Sequence, residues 1–380
     1  EKSFQQRIHD ASGRYSGSKI VYHSADSETV IMLNIYGKQV LISPLAWGLG
    51  HAARCVPVIK HLLKSECVVS VFASRELIIY LRQRFPDLNY IEDATDPFSY
   101  GAKGLTAKTL FLFALKMLRL TRNDRKQCRL LCRHVQPDVI ISDNRYGFYC
   151  ADVPSLLITH QIRPLLPGFT NIFRHIVSLF LKRSYRHFTE VLIPDFEAFP
   201  GLAGKLSHPG KLPSNARYVG LLSRFQQGGC PQTVRNPKQI LIITSGPEQH
   251  RNELSDFWSA QQLPESYQMI IAGCSSESAQ NHQIQCIASP ADSELQQLIC
   301  ESGIIISACG YSTLMDLFAL KRAAILIPTA GQTEQVYLAG LHQKHMVTGA
   351  TQKAVYILVS DPETVIGDLH RKEQLLLKIN

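Results

Sequence analysis

Gly310-Tyr311-Ser312-Thr313-Leu314-Met315-Asp316, preceded by Gly303-Ile304-Ile305-Ile306-Ser307 and followed by the apolar run Ala323 to Ile327, decides the architecture of this chain. The first apolar run reads as a buried strand. A glycine, two hydroxyls and an acid then stand where a helix should open. The second apolar run leads into the polar loop Pro328-Thr329-Ala330-Gly331-Gln332-Thr333-Glu334-Gln335. Strand, turn, helix, strand and polar loop make one unit of a nucleotide-binding α/β domain. Helix starts offer backbone N–H groups and a positive dipole end, so Gly310, Tyr311, Ser312 and Thr313 are candidates for holding phosphate.

The same rhythm runs outward from this unit. Gln239 to Thr244 and Gln268 to Ala272 read as strands, with helices expected over Glu248 to Ala260, Ser293 to Cys300, Thr313 to Leu320 and Gln332 to Gln343. Residues 226–237 break the pattern with Gly228-Gly229, Pro231 and Pro237, a linker composition. Before them, strands are expected at Val40 to Ser43, Val68 to Ala73, Pro137 to Ser142, Ser155 to Thr159 and Val191 to Ile193, and helices over Glu76 to Phe85, Thr106 to Val135 and Asn171 to His187. Ala52, Val56, Ile59 and Leu63 share one helical face, and Pro57 belongs in a first turn, which sets that helix start near Arg54. The expectation is an α/β protein of two doubly wound, Rossmann-like domains, residues 38–225 and 238–380, facing across a cleft. Residues 1–37 form an extension with one candidate strand, Val30 to Leu33.

Size and composition are those of a globular chain: 380 residues, 45% hydrophobic and 19% charged, enough for about two domains. The formal net charge of +9 suits an anionic partner, or reflects a basic surface and nothing more. No apolar stretch reaches the ~18 residues of a membrane-spanning helix. Ten cysteines show no framework spacing. Cys128, Cys132 and His134 are close together without a second pair to complete a zinc site, so free thiols are expected, and with them a reducing, cytoplasmic setting.

Five loops at strand ends carry the candidate chemistry. In Ser43 to His51, Gly48 and Gly50 permit close backbone approach, and His51 sits where a neutral imidazole can accept a hydroxyl proton; the alternative is a histidine bonding nearby backbone. In Ser142 to Gly147, Asp143 and Asn144 are placed to orient hydroxyls and Arg145 to bind phosphate, or the segment is a capped turn. His160, at the end of the next strand, is a second proton-transfer candidate. Ser245 and Gly246 are candidate phosphate contacts with Arg251 adding charge, or Ser245 is an N-cap. Asp316 either accepts ribose hydroxyls or complements the helix dipole. Thr333, Glu334 and Gln335 open the next helix and can bond sugar hydroxyls or cap a surface helix.

Two helices add a further pattern. Leu110 to Leu120 and Ile172 to Arg183 are apolar stretches among many Lys and Arg residues, which suits either core packing with solvated bases or an anionic lipid surface.

At these residues the chain resembles glycosyltransferases of the GT-B fold. It is similar to family 28, which includes the membrane-associated N-acetylglucosaminyltransferase of peptidoglycan synthesis, and to uncharacterised bacterial glycosyltransferase-like proteins with a Trp-Gly-Leu-Gly-His first loop. The resemblance covers roughly Lys38 to Ala350. It implies a UDP-sugar donor held by the C-terminal half, a hydroxyl acceptor (a glycan or a lipid-linked one) entering from the N-terminal half, and inversion. Asp316 falls where the family has a ribose-binding glutamate. Glu334 and Gln335 fall on a glutamine pair that touches the donor sugar, and Thr244 to Gly246 match the diphosphate loop. Gly48, Gly50 and His51 match the glycine-rich loop whose histidine is the base. The chain departs in having Gly-Leu-Gly-His for Gly-Gly-His, Asp for Glu, and one glutamine for two. No Asp-x-Asp motif is present; no metal, no cofactor beyond the nucleotide sugar and no nucleic acid is expected. The expected location is cytoplasmic, at the inner face of the plasma membrane. The competing expectations are a nucleotide-sugar hydrolase or epimerase, and a non-catalytic sugar- or lipid-binding protein.

Overall fold

The computed structural model describes residues 35–95, 107–164, 171–225, 229–231, 235–246, 248–274, 282–329, 332–344, 347–349, 352–354 and 356–358. The expected strand at Val30 to Leu33 lies outside them, as does half of the proposed linker.

The N-terminal half contains β1 (Gln39–Pro44), β2 (Val68–Ala73), β3 (Asn89–Glu92), β4 (Val139–Asp143), β5 (Ser155–Ile158), β6 (Glu190–Ile193) and β7 (Ala216–Tyr218). They form one sheet in the order β3-β2-β1-β4-β5-β6-β7. Every pairing is parallel. The inner strands are apolar on both faces, as burial beneath helices on each side requires. Those helices are α1 (Leu49–Lys64), α2 (Arg75–Arg82), α3 (Ala107–Val135) and α4 (Asn171–Tyr185).

The C-terminal half repeats the plan. It contains β8 (Asn236–Ile243), β9 (Gln268–Ala272), β10 (Ile284–Ile287), β11 (Ser302–Ala308), β12 (Ala324–Ile327), β13 (Val347–Gly349), β14 (Gln352–Ala354) and β15 (Tyr356–Leu358). The helices are α5 (Glu248–Ser259), α6 (Asp292–Glu301), α7 (Tyr311–Ala319) and α8 (Thr333–Lys344). The sheet order is β10-β9-β8-β11-β12-β15, all parallel, with β13 and β14 paired apart from it. In each sheet the strand order reverses once, between β1 and β4 and between β8 and β11. Ligands of doubly wound sheets bind outside the carboxyl ends of the strands at that reversal.

The two halves meet there. α7 is buried almost all round, and a single apolar core runs from Ile42 and Val56 through Leu241 to Tyr311, Leu314 and Phe318. Polar bonds join the rims. Arg84, just after α2, donates to Asp292 at the start of α6 (2.9 Å), and Arg251 on α5 pairs with Glu76 on α2 (2.8 Å).

Three expectations need correction. α1 does not begin near Arg54; it begins at Leu49 and carries Pro57 in its interior. Pro57 forfeits one intrahelical hydrogen bond, yet burial of Ala52, Ala53, Cys55, Val56, Val58, Ile59 and Leu62 keeps the helix on the sheet. Gly48, at φ 101°, supplies the turn that lets the helix open so early. Second, the short strands β3, β7 and β10 fell between the expected elements. β3 and β10 are edge strands of four residues with polar residues interleaved, too brief for a periodic signal. Third, the cysteines are not all free: Cys230 is disulfide-bonded to Cys300 at the end of α6, an element that sequence spacing gave no reason to join to it.

Candidate active site

Register places β1 and β4 side by side, with Pro44 opposite Asp143. The loop after β1 turns at Gly48 and becomes α1, so His51 lies in the first helical turn and Arg54 one turn further on the same face. Both reach Asp143. His51 Nδ1 lies 2.6 Å from Asp143 Oδ2, and Arg54 Nη2 approaches Oδ1 at 2.5 Å as an ion pair. Burial pushes the Asp143 carboxyl up, but Arg54 and His51 beside it pull it below the usual carboxylate range. A carboxylate only accepts, so Nδ1 of His51 carries the proton and Nε2 is the basic nitrogen. Arg54, 1% exposed, is the member of this cluster that sequence reading missed; its Nε has no hydrogen-bond partner. The i, i+3 spacing from His51 was the signal, hidden by the helix start assumed at Arg54.

Arg54 also links to the second histidine. Its Nη1 donates to His160 Nδ1 at 3.0 Å. Arginine has no acceptor, so His160 carries its proton on Nε2 and donates it to Glu334 Oε1 at 2.9 Å. Gln161 Nε2 donates to the other Glu334 oxygen. Burial pushes the His160 imidazole below its ordinary value, which keeps it neutral, and burial's upward pull on Glu334 is overcome by His160. His160 stacks on the Tyr311 ring, centroids 4.1 Å apart, and the Tyr311 hydroxyl donates to the Pro194 carbonyl at 2.6 Å. A continuous chain of polar groups, His51–Asp143–Arg54–His160–Glu334, therefore crosses from α1 to α8.

The loops from the C-terminal switch point close on the same place. A Cβ on Gly48 would lie 3.4 Å from the backbone of Gly246, and one on Gly50 would lie 3.0 Å from Ser312 Oγ. Ser312 donates to the Gly50 carbonyl at 2.9 Å. Gly310 caps α7, and Thr313 follows in its first turn. Ser245 lies in the loop after β8 beside Gly246, while Arg251 donates to the Gly246 carbonyl at 2.8 Å. Thr333 is exposed at the start of α8.

Other candidates sit elsewhere. Arg145 does not face the seam. Its guanidinium is buried between Asp93, Asp124 and Ser43, which occupy the groups a phosphate would need. Asn144, at φ 60°, bonds Thr159 and Tyr146, and Asp143 holds His51 and Arg54 in place of capping a turn. Asp316 is 4% exposed; Ser223 donates to one oxygen (2.7 Å) and Arg224 to the other (2.9 Å), so it fastens the chain between the halves. Burial raises its carboxyl, and Arg224 and Ser223 offset that only in part. Gln335 is turned into its own loop, accepting from the Thr329 N–H at 2.8 Å. Among the described residues, no group of three or more His, Cys, Asp and Glu side chains is arranged to hold a metal ion, and no helix is long and apolar enough to cross a membrane.

No family model and no curated protein sequence matches this chain. Solved structures do match, with low identity and over nearly the whole length. CalG4, the calicheamicin glycosyltransferase, aligns at 9% identity with a TM-score of 0.58, covering 91% of this chain and 93% of its own. UGT89C1 of Arabidopsis thaliana complexed with UDP-L-rhamnose aligns at 14% identity and 0.54, covering 91% and 92%. The spinosyn rhamnosyltransferase SpnG complexed with thymidine diphosphate aligns at 15% identity and 0.53, covering 88% and 89%. These are GT-B glycosyltransferases, and the chain has their fold: two parallel α/β sheets with the switch points facing each other.

Proposed function

We propose that this protein is a glycosyltransferase that moves a hexosyl-type sugar from a nucleoside diphosphate sugar, uridine being the nucleoside, to an acceptor hydroxyl with inversion. The observation that carries the reading is the His51–Asp143 pair at 2.6 Å, set in the seam where loops from both switch points meet. The neighbours bound to UDP-L-rhamnose and to thymidine diphosphate support a nucleoside diphosphate as the donor's leaving group.

The acceptor hydroxyl donates its proton to His51 Nε2 as its oxygen attacks the anomeric carbon, and the bond from that carbon to the diphosphate breaks. Asp143 stabilises the imidazolium that forms, and Arg54 keeps Asp143 ionised in its buried place. The departing diphosphate gathers negative charge where α7 begins, beside the Ser312 and Thr313 hydroxyls, the Gly246 loop and Arg251. Glu334 accepts from a sugar hydroxyl once His160 and Gln161 release it. Ser312 and Arg251 are bonded across the seam, so donor entry exchanges these contacts for bonds to phosphate oxygens.

The acceptor reading extends to lipid-linked substrates at an anionic membrane surface. Leu115 and Leu118 on α3, and Ile176 and Leu179 on α4, are exposed large apolar side chains near Arg119, Arg122, Lys182 and Arg183. Apolar contacts ringed by bases favour an anionic interface. Vesicles of phosphatidylglycerol should therefore sediment the protein, phosphatidylcholine vesicles should not, and Leu179→Asp should weaken the first interaction. Equal binding to both lipids would remove the membrane from the proposal.

The donor is tested with a panel of UDP- and dTDP-sugars by thermal shift and by release of the free nucleotide. A donor at a hundredfold excess over its dissociation constant stabilises by about 2.7 kcal/mol. His51→Ala should lower turnover by about 10²–10⁴ while the thermal shift persists. A chain that no nucleoside diphosphate sugar stabilises would sink the proposal, and free sugar or an epimer formed without acceptor would redirect it to hydrolysis or epimerisation.

A further inference from the structure

Cys128 and Cys132 stand one turn apart on α3, and the structure brings Cys150 to them from the loop after β4. The three pack in one apolar cluster with Leu131, Phe148 and Val153. Cys132 interacts with both the Cys128 and the Cys150 thiols. That loop is clamped along α3. Arg145 is paired with Asp124, and Gly147 presses so close to the helix that a Cβ there would lie 2.1 Å from the Thr121 carbonyl oxygen. Cys150 itself is fixed by an antiparallel bridge to Val153, and its N–H donates to Ser155 Oγ at 3.4 Å.

We propose that Cys132 and Cys150 form a reversible oxidation site for small hydroperoxides, with Cys132 as the attacking thiolate and Cys150 as the resolving thiol. Accessibility assigns the roles: Cys128 is fully buried, whereas Cys132 and Cys150 are partly exposed. Geometry excludes the helical pair as the product. Side chains four apart on one helix hold their Cβ atoms about 5–6 Å apart, and a disulfide needs about 3.5–4.5 Å. Cys150 comes from a different element, so that helical spacing does not apply to it. The thiolate is favoured at Cys132: the neighbouring Cys128, with a smaller contribution from Cys150, holds it below the ordinary thiol value against an upward push from burial and Asp152. Burial pushes Cys150 up, which keeps it protonated until it attacks.

The steps balance. The Cys132 thiolate attacks the terminal peroxide oxygen; the O–O bond breaks, the alcohol or water leaves with a proton, and Cys132 becomes a sulfenic acid. Cys150 sulfur then displaces hydroxide, which takes the thiol proton and leaves as water. Two thiols lose two electrons, the peroxide gains them, and a Cys132–Cys150 disulfide joins α3 to the loop. A cellular thiol returns the pair to the reduced state by exchange.

The test treats the intact protein with one equivalent of hydrogen peroxide, followed by acid quenching and peptide mass mapping. The expected product is a Cys132–Cys150 cross-linked peptide, beside the Cys230–Cys300 pair, that dithiothreitol removes. Cys150→Ser should arrest the reaction at a Cys132 sulfenic acid captured by dimedone. In Cys132→Ser, Cys150 should remain a free thiol over the same interval. As an independent measure on the wild type, iodoacetamide labelling of Cys132 should rise to half its maximum below the ordinary thiol value. Peroxide that consumes other thiols first, a Cys128–Cys132 product, or a labelling midpoint at the ordinary thiol value of about 8.5 would overturn the proposal.

Discussion

Asp143 serves two cations at once, and that shared service shapes the chemistry at the scale of single residues. Its carboxylate fixes the His51 tautomer through one oxygen and offsets a buried guanidinium through the other. Arg54 in turn fixes the tautomer of His160. These buried groups make the protein acid-sensitive in a defined order. His160 is held below its ordinary value of about 6.5, so as pH falls the unfolded chain takes up that proton first, and stability declines from about pH 6.5 downward. Asp143 and Glu334 are held below the ordinary carboxylate range, so the stability they confer is complete above about pH 4 and is lost as pH falls toward their lowered values. Tm should therefore drop between pH 7 and pH 5, and His160→Gln should lose part of that drop. A variant with the wild-type pH profile of Tm would show that His160 is not the group concerned.

At the scale of elements, close approach depends on particular glycines. Gly147 lets the loop after β4 lie against α3 with backbone touching backbone. Gly147→Ala must force them apart, at a cost of about 1–3 kcal/mol from overpacking, visible as a lowered urea midpoint. His51, Asp143 and His160 could be singled out beforehand because His51 opens the helix after β1, Asp143 ends β4 and His160 follows β5, and doubly wound sheets present such strand ends to ligand. Arg54 was not readable, because a buried arginine in an amphipathic helix looks like a surface residue until its partner is known. Asp316 and Arg145 looked like ligand contacts for the converse reason. Their strand-end or helix-start positions were right, but Ser223, Arg224, Asp93 and Asp124, distant in sequence, already hold them. The Cys230–Cys300 link was hidden likewise, since separation along the chain carries no record of contact.

At the scale of the whole molecule, the halves share one apolar core and several polar bridges. They should consequently melt together. Calorimetry should show one transition, with the calorimetric enthalpy equal to the van 't Hoff value; two resolved peaks would mean that the shared core does not couple them. The repeat of the sheet order in each half was foreseeable from the alternation of apolar runs. How tightly the halves meet was not, because it rests on side chains such as Tyr311, which stacks under His160 from the opposite half.

The bond from Ser312 to Gly50 and the pairing of Glu334 with His160 have a practical corollary for crystallographers. On the proposed mechanism, a lattice grown from protein alone would lock the seam with the protein's own atoms in the seats assigned to phosphate and sugar. Nucleotide diffused into such crystals would find those seats taken, whereas nucleotide added before nucleation would be enclosed as the lobes settle. Order of addition, more than concentration, decides which complex is seen.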